Sequence, residues 1–313
     1  MMKSYLVIRP TQDMLYTAKR SMSCFSKNII ACLLFGIFVI FSNLVYATPI
    51  SIKDSEGTIV RLAKPATRVV SLTPHTTEMM LSAGAGTKLV GIVNSADLTN
   101  QTKNIPKIGA YNTVSLEKIL QQKPDLVLAW THGNRHNEIK KLRQMGIPVY
   151  ISNPMELKDI AKEVNDMGVL TGHTDMAKKN SQQFLNRLHN IQNTYKNKPT
   201  IRIFIQVSND PIYTINNQTF LGKMLSICSA QNVFATAKQP AFPVSMEQVV
   251  QTNPDMIVSI SHQNNLAQWK KWPITASNKN HLLFFTGKQL SRPSIGILDD
   301  LIRLCKQIDQ TRT

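Results

Sequence analysis

The sequence predicts an α/β fold with two related lobes, each built on a mainly parallel sheet, joined by one long α-helix. Apolar runs of strand length alternate with helical segments in the first part of the chain, and one such unit is repeated in the second part. Between the two parts lies a stretch with helical periodicity and no strand pattern. Alternating strands and helices are typical of parallel sheets built from right-handed β-α-β units.

Residues 1–47 are predicted to be a secretory signal peptide. Basic residues within 19–27 precede an apolar run over 29–41, and Val45-Tyr46-Ala47 is a small-residue cleavage signature. This order is typical of an exported chain and places the cleavage after Ala47. The apolar run is shorter than the ~20 residues that a membrane-spanning helix needs, and an uncleaved anchor is the alternative.

The composition, with 42% hydrophobic and 18% charged residues, is that of a globular chain and excludes a disordered one. Removing residues 1–47 takes away five basic residues and one acidic residue, so most of the net charge of +17 remains. The lysines are scattered, and no nucleic-acid-binding motif accompanies them. A solvated basic surface, or attraction to anionic lipid, is therefore favoured, and we expect no nucleic-acid partner.

Two cysteines, Cys228 and Cys305, remain after the predicted signal peptide is removed. In an oxidising compartment, two cysteines are predicted to form one disulfide, and two buried thiols are the alternative.

The first lobe, predicted over 48–155, alternates strands and helices along its length. The predicted strands are 68–72, 89–93, 126–130 and 149–152, and the predicted helices are 76–83, 115–122 and 138–145. In the linking segment, 156–197, apolar positions at helical spacing predict one long helix over 176–196. The second lobe, predicted over 198–313, begins with the apolar strand 201–207.

The repeat relates residues 115–130 (SLEKILQQKPDLVLAW) to residues 245–260 (SMEQVVQTNPDMIVSI). Each copy predicts a short helix capped by Ser, a Pro-Asp turn and a buried strand. The identical pairs are Ser115/Ser245, Glu117/Glu247, Gln121/Gln251, Pro124/Pro254 and Asp125/Asp255.

A ligand cleft is expected between the lobes, because ligands of open α/β sheets bind outside the carboxyl ends of the strands. Pro74 follows the first predicted strand, and Trp130 ends a later one. An aromatic ring there suits stacking on a flat ligand, although core packing is the alternative. Tyr111 and Phe242 precede the two repeated helices at closely corresponding places, which favours a shared role in lining the cleft.

Catalytic and metal chemistry have little support in this sequence. His132 and His136 are four residues apart, but His132 lies before Gly133, and no third ligand is visibly placed. No nucleophile elbow and no phosphate-binding loop is present. We therefore expect a protein that is not an enzyme and that has no metal site and no cofactor.

Glu117 and Glu247 each lie in the first turn of a predicted helix, where the helix dipole favours a carboxylate. That local effect is one explanation. Their equivalent positions in two related lobes also suit docking on a symmetric partner that offers arginines.

Four segments, 68–86, 108–134, 243–255 and 291–305, carry a resemblance to a known family. In these segments the chain resembles the periplasmic cobalamin-binding components of bacterial ABC importers. The wider family of this resemblance includes iron-siderophore and haem binders with the same two-lobed fold. The resemblance spans residues 66–309 in collinear order and implies cobalamin, or a related corrinoid such as cobinamide, as the transported ligand.

The resemblance also implies roles for individual residues. Tyr111 and Trp130 match aromatic residues that pack against the corrin ring, and Pro74 and Arg292 match ligand contacts. Glu117 and Glu247 match two glutamates that dock on arginines of a permease dimer in the inner membrane. Cys228 and Cys305 match a disulfide pair. The implied protein is periplasmic and is a monomer when free.

The sequence departs from the family pattern in three places. A tyrosine contact falls at Ser95, and a cleft tryptophan falls at Ala241, next to Phe242. The acidic-aromatic run before Arg292 is replaced by Lys288, Gln289, Leu290 and Ser291.

Alternative ligands would need other groups. A haem or ferric-siderophore carrier would aim His75, His132 or Arg292 into the cleft, and a carrier of metal ions would need three or four His and carboxylate ligands. An exported hydrolase would need a nucleophile, which the sequence does not offer.

Overall fold

The computed structural model describes residues 49–94, 99–260, 266–286, 290 and 292–312. The predicted signal peptide and its cleavage after Ala47 lie outside the described residues. Among the residues that are described, no helix combines the length and apolarity that crossing a membrane requires.

The first lobe contains a four-stranded parallel sheet. Its strands are β3 (Val69–Ser71), β4 (Leu89–Ile92), β7 (Leu126–Ala129) and β8 (Val149–Ile151). They lie in the order β4-β3-β7-β8. Its helices are α1 (Pro74–Ser82), α2 (Leu116–Gln121) and α3 (His136–Gln144). Two antiparallel hairpins accompany the sheet: β1 (Ile50–Lys53) with β2 (Ile59–Leu62), and β5 (Gly109–Ala110) with β6 (Thr113–Val114).

The second lobe contains a four-stranded parallel sheet. Its strands are β9 (Ile201–Gln206), β12 (Ala230–Asn232), β14 (Met256–Ser259) and β15 (Leu282–Phe284). They lie in the order β12-β9-β14-β15. A small antiparallel sheet is formed by β10 (Ser208–Asn209), β11 (Ile212–Ile215) and β13 (Ala241–Pro243). The helices are α6 (Phe220–Leu225), α7 (Met246–Thr252), α8 (Thr275–Asn278) and α9 (Ile297–Asp309).

The two parallel sheets have the same topology, which confirms two related lobes. In each parallel sheet, the strand that comes first in the chain, β3 or β9, lies between the second strand, β4 or β12, and the third strand, β7 or β14. The strand order therefore reverses between β3 and β7 in the first lobe, and between β9 and β14 in the second. Such reversal points are where open α/β sheets leave a crevice outside the carboxyl ends of the strands.

The repeated Pro-Asp turn has the same structural role in both lobes. The carboxylate of Asp125 accepts hydrogen bonds from the backbone N–H groups of Thr67 and Arg68, both at 2.8 Å, and so joins the start of β7 to the start of β3. Asp255 accepts from the N–H of Arg202 at 2.9 Å and joins β14 to β9. An aspartate in this turn therefore aligns two neighbouring parallel strands in each lobe.

The linking segment contains two helices, α4 (Leu157–Thr171) and α5 (Thr174–Tyr195), and not one. The predicted long helix is α5, which has 22 residues. Gly172 ends α4 in the left-handed conformation, with φ 75°, and the chain then starts α5. Helix α4 is absent from the elements predicted from the sequence, although its buried residues recur at helical spacing.

Residues 49–313 form one compact unit. The largest core cluster takes side chains from both lobes and both linking helices, among them Met79, Val164, Leu188, Ile205 and Leu301. Two smaller clusters fill the opposite faces of the two parallel sheets. The predicted boundaries of the lobes, at 155 and 197, stay a prediction.

Candidate functional site

Trp130 and Pro74 lie together at the reversal point of the first sheet. Pro74 is the first residue of α1 and follows the end of β3 by three residues, and its fixed φ suits the first turn of a helix. Trp130 directly follows β7, the neighbour of β3. Both side chains are partly exposed, so they can contact a ligand at the carboxyl edge of this sheet.

The indole ring of Trp130 is held by its neighbours. A Cβ atom added to Gly133 would lie 2.2 Å from Cε3 of Trp130, so only glycine fits against this ring. The imidazole of His75 packs edge-on, with ring centroids 5.6 Å apart and an interplanar angle of 86°. The orientation of the indole is therefore set before any ligand binds.

His75 is a buried neutral histidine. Burial lowers the pKa of its imidazole to about 3. Its Nε2 atom lies 2.9 Å from Oγ of Ser152, and its Nδ1 atom lies 3.1 Å from Oγ1 of Thr73. Since both ring nitrogens are engaged, His75 is not available to ligate haem iron or a metal ion, as the alternative carriers would need.

The polar chain continues from Ser152 to Glu163 of helix α4. The hydroxyl groups of Ser152 and Ser55 both donate to the carboxylate of Glu163, and that from Ser55 does so at 2.6 Å. Burial is the main cause that raises the pKa of Glu163 to about 7. Glu163 is not among the residues predicted from the sequence, because nothing local marks a glutamate of a linking helix as buried.

Tyr111 lies in the turn of the β5–β6 hairpin, and its side chain is 46% exposed. Its carbonyl oxygen accepts a hydrogen bond of 2.6 Å from the side chain of Asn134, which follows Trp130 in the next turn. This contact brings two of the predicted aromatic residues, Tyr111 and Trp130, to the same edge of the first lobe.

In the second lobe, Phe242 lies on β13 at the outer end of an aromatic row. Its ring packs edge-on against Phe234, with centroids 5.8 Å apart. Phe204 stands between Phe234 and Trp269, at 5.9 Å and 5.5 Å. The indole N–H of Trp269 donates to Oε1 of Gln206, at the end of β9. The row packs against one side of the half-buried ring of Phe242. Ala241, the neighbouring position, is exposed.

Arg292 forms a contact between the lobes. Its Nη1 atom lies 3.4 Å from Oε1 of Glu78 on α1, and the hydroxyl of Ser294 donates to Oε2 of Glu78 at 2.5 Å. Because α1 follows β3 and the loop of Arg292 follows β15, these bonds join the carboxyl sides of the two sheets. Glu78 is not among the residues predicted from the sequence, since its partners lie more than 200 residues away.

The remaining predicted ligand contacts are either outside the described residues or buried in the core. Ser95, Lys288, Gln289 and Ser291 lie outside the described residues. Leu290 is described, and its side chain is only 1% exposed within the main core cluster. We therefore do not include Leu290 in the proposed site.

Glu117 and Glu247 both lie exposed in the first turn of equivalent helices, α2 and α7. The helices begin at Ser115 and Ser245, whose hydroxyl oxygens accept hydrogen bonds from the N–H groups three residues on. Hydrogen bonds from its own backbone N–H and from Ser245 hold the pKa of Glu247 below its ordinary value. Glu247 therefore carries a negative charge at neutral pH.

Cys228 and Cys305 are joined by a disulfide with a Cα–Cα distance of 4.9 Å. Both residues are fully buried, and the bond fastens α9 to the turn that follows α6. Within the described ranges, no group of three or more His, Cys, Asp or Glu side chains is placed to hold a metal ion.

The sequence profile of the periplasmic binding protein family matches residues 69–280. The chain is 33% identical over 256 residues to the vitamin B12-binding protein of Vibrio vulnificus strain YJ016, covering 80% of this chain and 94% of that protein. It is 29% identical over 274 residues to the vitamin B12-binding protein of Vibrio campbellii, covering 87% and 98%.

Solved structures give the same result. The periplasmic vitamin B12 binding protein BtuF of Vibrio cholerae has a TM-score of 0.73 and 30% identity, covering 80% of this chain and 99% of that chain. The haem-binding protein HmuT has a TM-score of 0.65 at 17% identity, covering 85% and 92%, and shows the shared fold alone. The chain belongs to the periplasmic binding protein family.

Proposed function

We propose that this protein captures cobalamin, or a related corrinoid such as cobinamide, and delivers it to the permease of an ABC importer. The observation that carries the proposal is the placement of Trp130 beside Pro74 at the reversal point of the first sheet. The chain's similarity to proteins named for vitamin B12 binding supports the same ligand.

The arrangement suits a flat macrocycle that is bound without being changed. Trp130, braced by Gly133 and His75, offers one apolar surface, and Phe242 offers another on the second lobe. Ligand sites of this kind are mostly apolar, with a few polar groups that fix the orientation of the ligand. We assign Arg292 as the charged group that contacts the polar rim of the corrinoid. It either keeps its contact with Glu78 or gives it up when the ligand binds.

We place the protein in the periplasm, as a monomer when free. The predicted signal peptide and the family of the chain support export, and the Cys228–Cys305 disulfide suits an oxidising compartment. The protein performs no covalent chemistry on its ligand in this proposal.

A titration with cyanocobalamin tests the ligand. Protein produced from the full chain should bind stoichiometrically in calorimetry, with a matching change in the visible spectrum. Trp130→Ala removes an aromatic surface that is buried on binding, and we expect the Kd to rise about 10- to 100-fold. Trp272→Ala, which truncates a partly buried indole of the second lobe, is the control and should leave the Kd unchanged. Tight binding of haem with no binding of cyanocobalamin would refute the proposal.

We further propose that Glu117 and Glu247 dock on arginines of the permease dimer. Their exposure at equivalent helix starts supports this role. The double variant Glu117→Ala/Glu247→Ala should keep its affinity for cyanocobalamin and lose transport in cells that depend on this importer. Asp175→Ala, an exposed acidic residue in the first turn of α5, is the control and should transport normally. Normal transport by the double variant would contradict docking through these residues.

A further inference from the structure

Asn134 is a buried polar residue that joins three separate segments of the proposed site. Its side chain is 4% exposed and lies in the turn between β7 and α3. Its Oδ1 atom accepts a hydrogen bond of 2.7 Å from the N–H of Trp130. Its Nδ2 group donates to the carbonyl oxygens of Leu72, at 3.1 Å, and Tyr111, at 2.6 Å. Both N–H donors and the oxygen of the amide are therefore used.

Each partner of Asn134 is a backbone group at or beside a proposed ligand contact. Two of these partners are Tyr111 and Trp130 themselves, and Leu72 precedes the turn that places Pro74. Leu72 and Tyr111 are 62 and 23 residues away from Asn134 in the chain, so these two bonds are tertiary contacts. The hairpin that carries Tyr111 has only two residue pairs, and the bond from Asn134 ties its turn to the sheet edge.

We propose that Asn134 is a positioning residue for corrinoid binding, which sets the spacing of these three segments without contacting the ligand. The inference rests on the proposed function. The chemistry at this position is specific, because two carbonyl oxygens and one N–H group converge on one side chain. An aspartate in place of Asn134 keeps the size and the acceptor oxygen, but its second carboxylate oxygen would face the two carbonyl oxygens. A serine in place of Asn134 is too short to reach all three partners.

The test uses Asn134→Asp and Asn134→Ser in protein produced from the full chain. We expect both variants to bind cyanocobalamin about tenfold or more weakly in calorimetry, since two hydrogen bonds that order the site are lost. Labelling with 5-fluorotryptophan gives a second measurement. A residue that only stabilises the fold would lower the Tm without changing the fluorine signal of Trp130. The chain has three tryptophans, and Trp130→Phe identifies the fluorine signal of Trp130. That signal should shift or broaden in the variants without ligand, while the signal of buried Trp269 stays unchanged.

Asn216→Asp is the matched control. Asn216 is also fully buried, and its side-chain amide donates to the carbonyl of Ala237 and accepts from the N–H of Gln218, none of which is a proposed ligand contact. This variant should lower the Tm while leaving both the Kd and the fluorine signal of Trp130 unchanged.

The outcomes separate the inference from the proposed function. A Kd within twofold of the unsubstituted protein, or an unchanged Trp130 signal, overturns the role of Asn134. If Asn134→Asp does not fold, Asn134→Ser decides by the same criteria, and failure of both to fold overturns the positioning role in favour of a structural one. If the unsubstituted protein does not bind cyanocobalamin, the proposed function fails. The Trp130 signal of the ligand-free variants then still decides whether Asn134 orders this edge.

Discussion

Replacing Glu163 with Gln should make the protein more stable at alkaline pH. Glu163 is 1% exposed on α4, and its carboxylate accepts hydrogen bonds from Ser55, Ser152 and the N–H of Asn153. Burial raises its pKa to about 7 in spite of these bonds, and the negative charge of Asp166 adds to the rise. A glutamine keeps the shape and the acceptor oxygen without the cost of ionisation in the interior.

The size of the effect follows from the two pKa values of Glu163. Its pKa is about 7 in the folded protein against an ordinary value of 4.5, so the folded state binds more protons between these two values. Stability from this group is therefore present at low pH and is lost as the pH rises through 7. Linkage gives a loss of about 2 kcal/mol between pH 5.5 and pH 8.0 for the unsubstituted protein. The glutamine variant cannot lose a proton and escapes this loss.

Urea unfolding at pH 5.5 and pH 8.0 measures the difference. The free energy of unfolding of Glu163→Gln, relative to the unsubstituted protein, should rise by about 2 kcal/mol between these two pH values. The titration of His75 contributes to both proteins and cancels in this comparison. Glu156→Gln is the control, because a hydrogen bond and the charge of Lys158 hold the pKa of exposed Glu156 below its ordinary value. The difference in free energy of unfolding between Glu156→Gln and the unsubstituted protein should be the same at both pH values. The same pH dependence in Glu163→Gln and in the unsubstituted protein would refute the reasoning.

Three further predictions concern other contacts. Gly133→Ala places a Cβ atom 2.2 Å from the ring of Trp130 and should raise the Kd for cyanocobalamin about tenfold in calorimetry, whereas an unchanged Kd would exclude a role for this ring in binding. Replacing Cys228 and Cys305 together with Ser should lower the free energy of unfolding by about 4 kcal/mol in urea, since the bond closes a loop with a sequence separation of 77; a loss below 1 kcal/mol would contradict this. Burial lowers the pKa of His75 to about 3 against an ordinary 6.5, so the unfolded state binds more protons below 6.5 and stability falls as the pH falls. In urea unfolding, the free energy of unfolding of His75→Gln should therefore fall by about 2.5 kcal/mol less than that of the unsubstituted protein between pH 7 and pH 4.5, and equal losses would show that this histidine is not buried as a neutral group.

The parallel strands were predictable because each is a short continuous apolar run that must be buried on both faces. The predicted strand 126–130 is Leu126–Ala129 in the structure, and the predicted strand 201–207 is Ile201–Gln206. The repeat predicted two related lobes, and the identical strand order of the two sheets confirms it. Helix α4 could also have been predicted, since Leu157, Ile160 and Val164 recur at helical spacing.

The polar contacts of the site were not predictable in the same way. Glu78 and Arg292 meet across more than 200 residues of chain, and Glu163 meets Ser55 across 108. A polar side chain carries no local sign that it will be buried or of which partner it will have, because its sequence neighbours do not surround it in the folded protein. The predicted roles of Ser95, Lys288, Gln289 and Ser291 stay predictions.

The sequence by itself determined the lobes, their parallel sheets, the long linking helix α5 and the segments that carry Pro74, Tyr111 and Trp130. These features depend on local patterns of apolar residues, which act over the length of one strand or helix. Only the tertiary structure decided which polar groups are buried and paired, as with Asn134 and His75. The reason is physical: a hydrogen bond in the interior depends on groups that are distant in the chain, and their meeting is settled by the packing of whole elements.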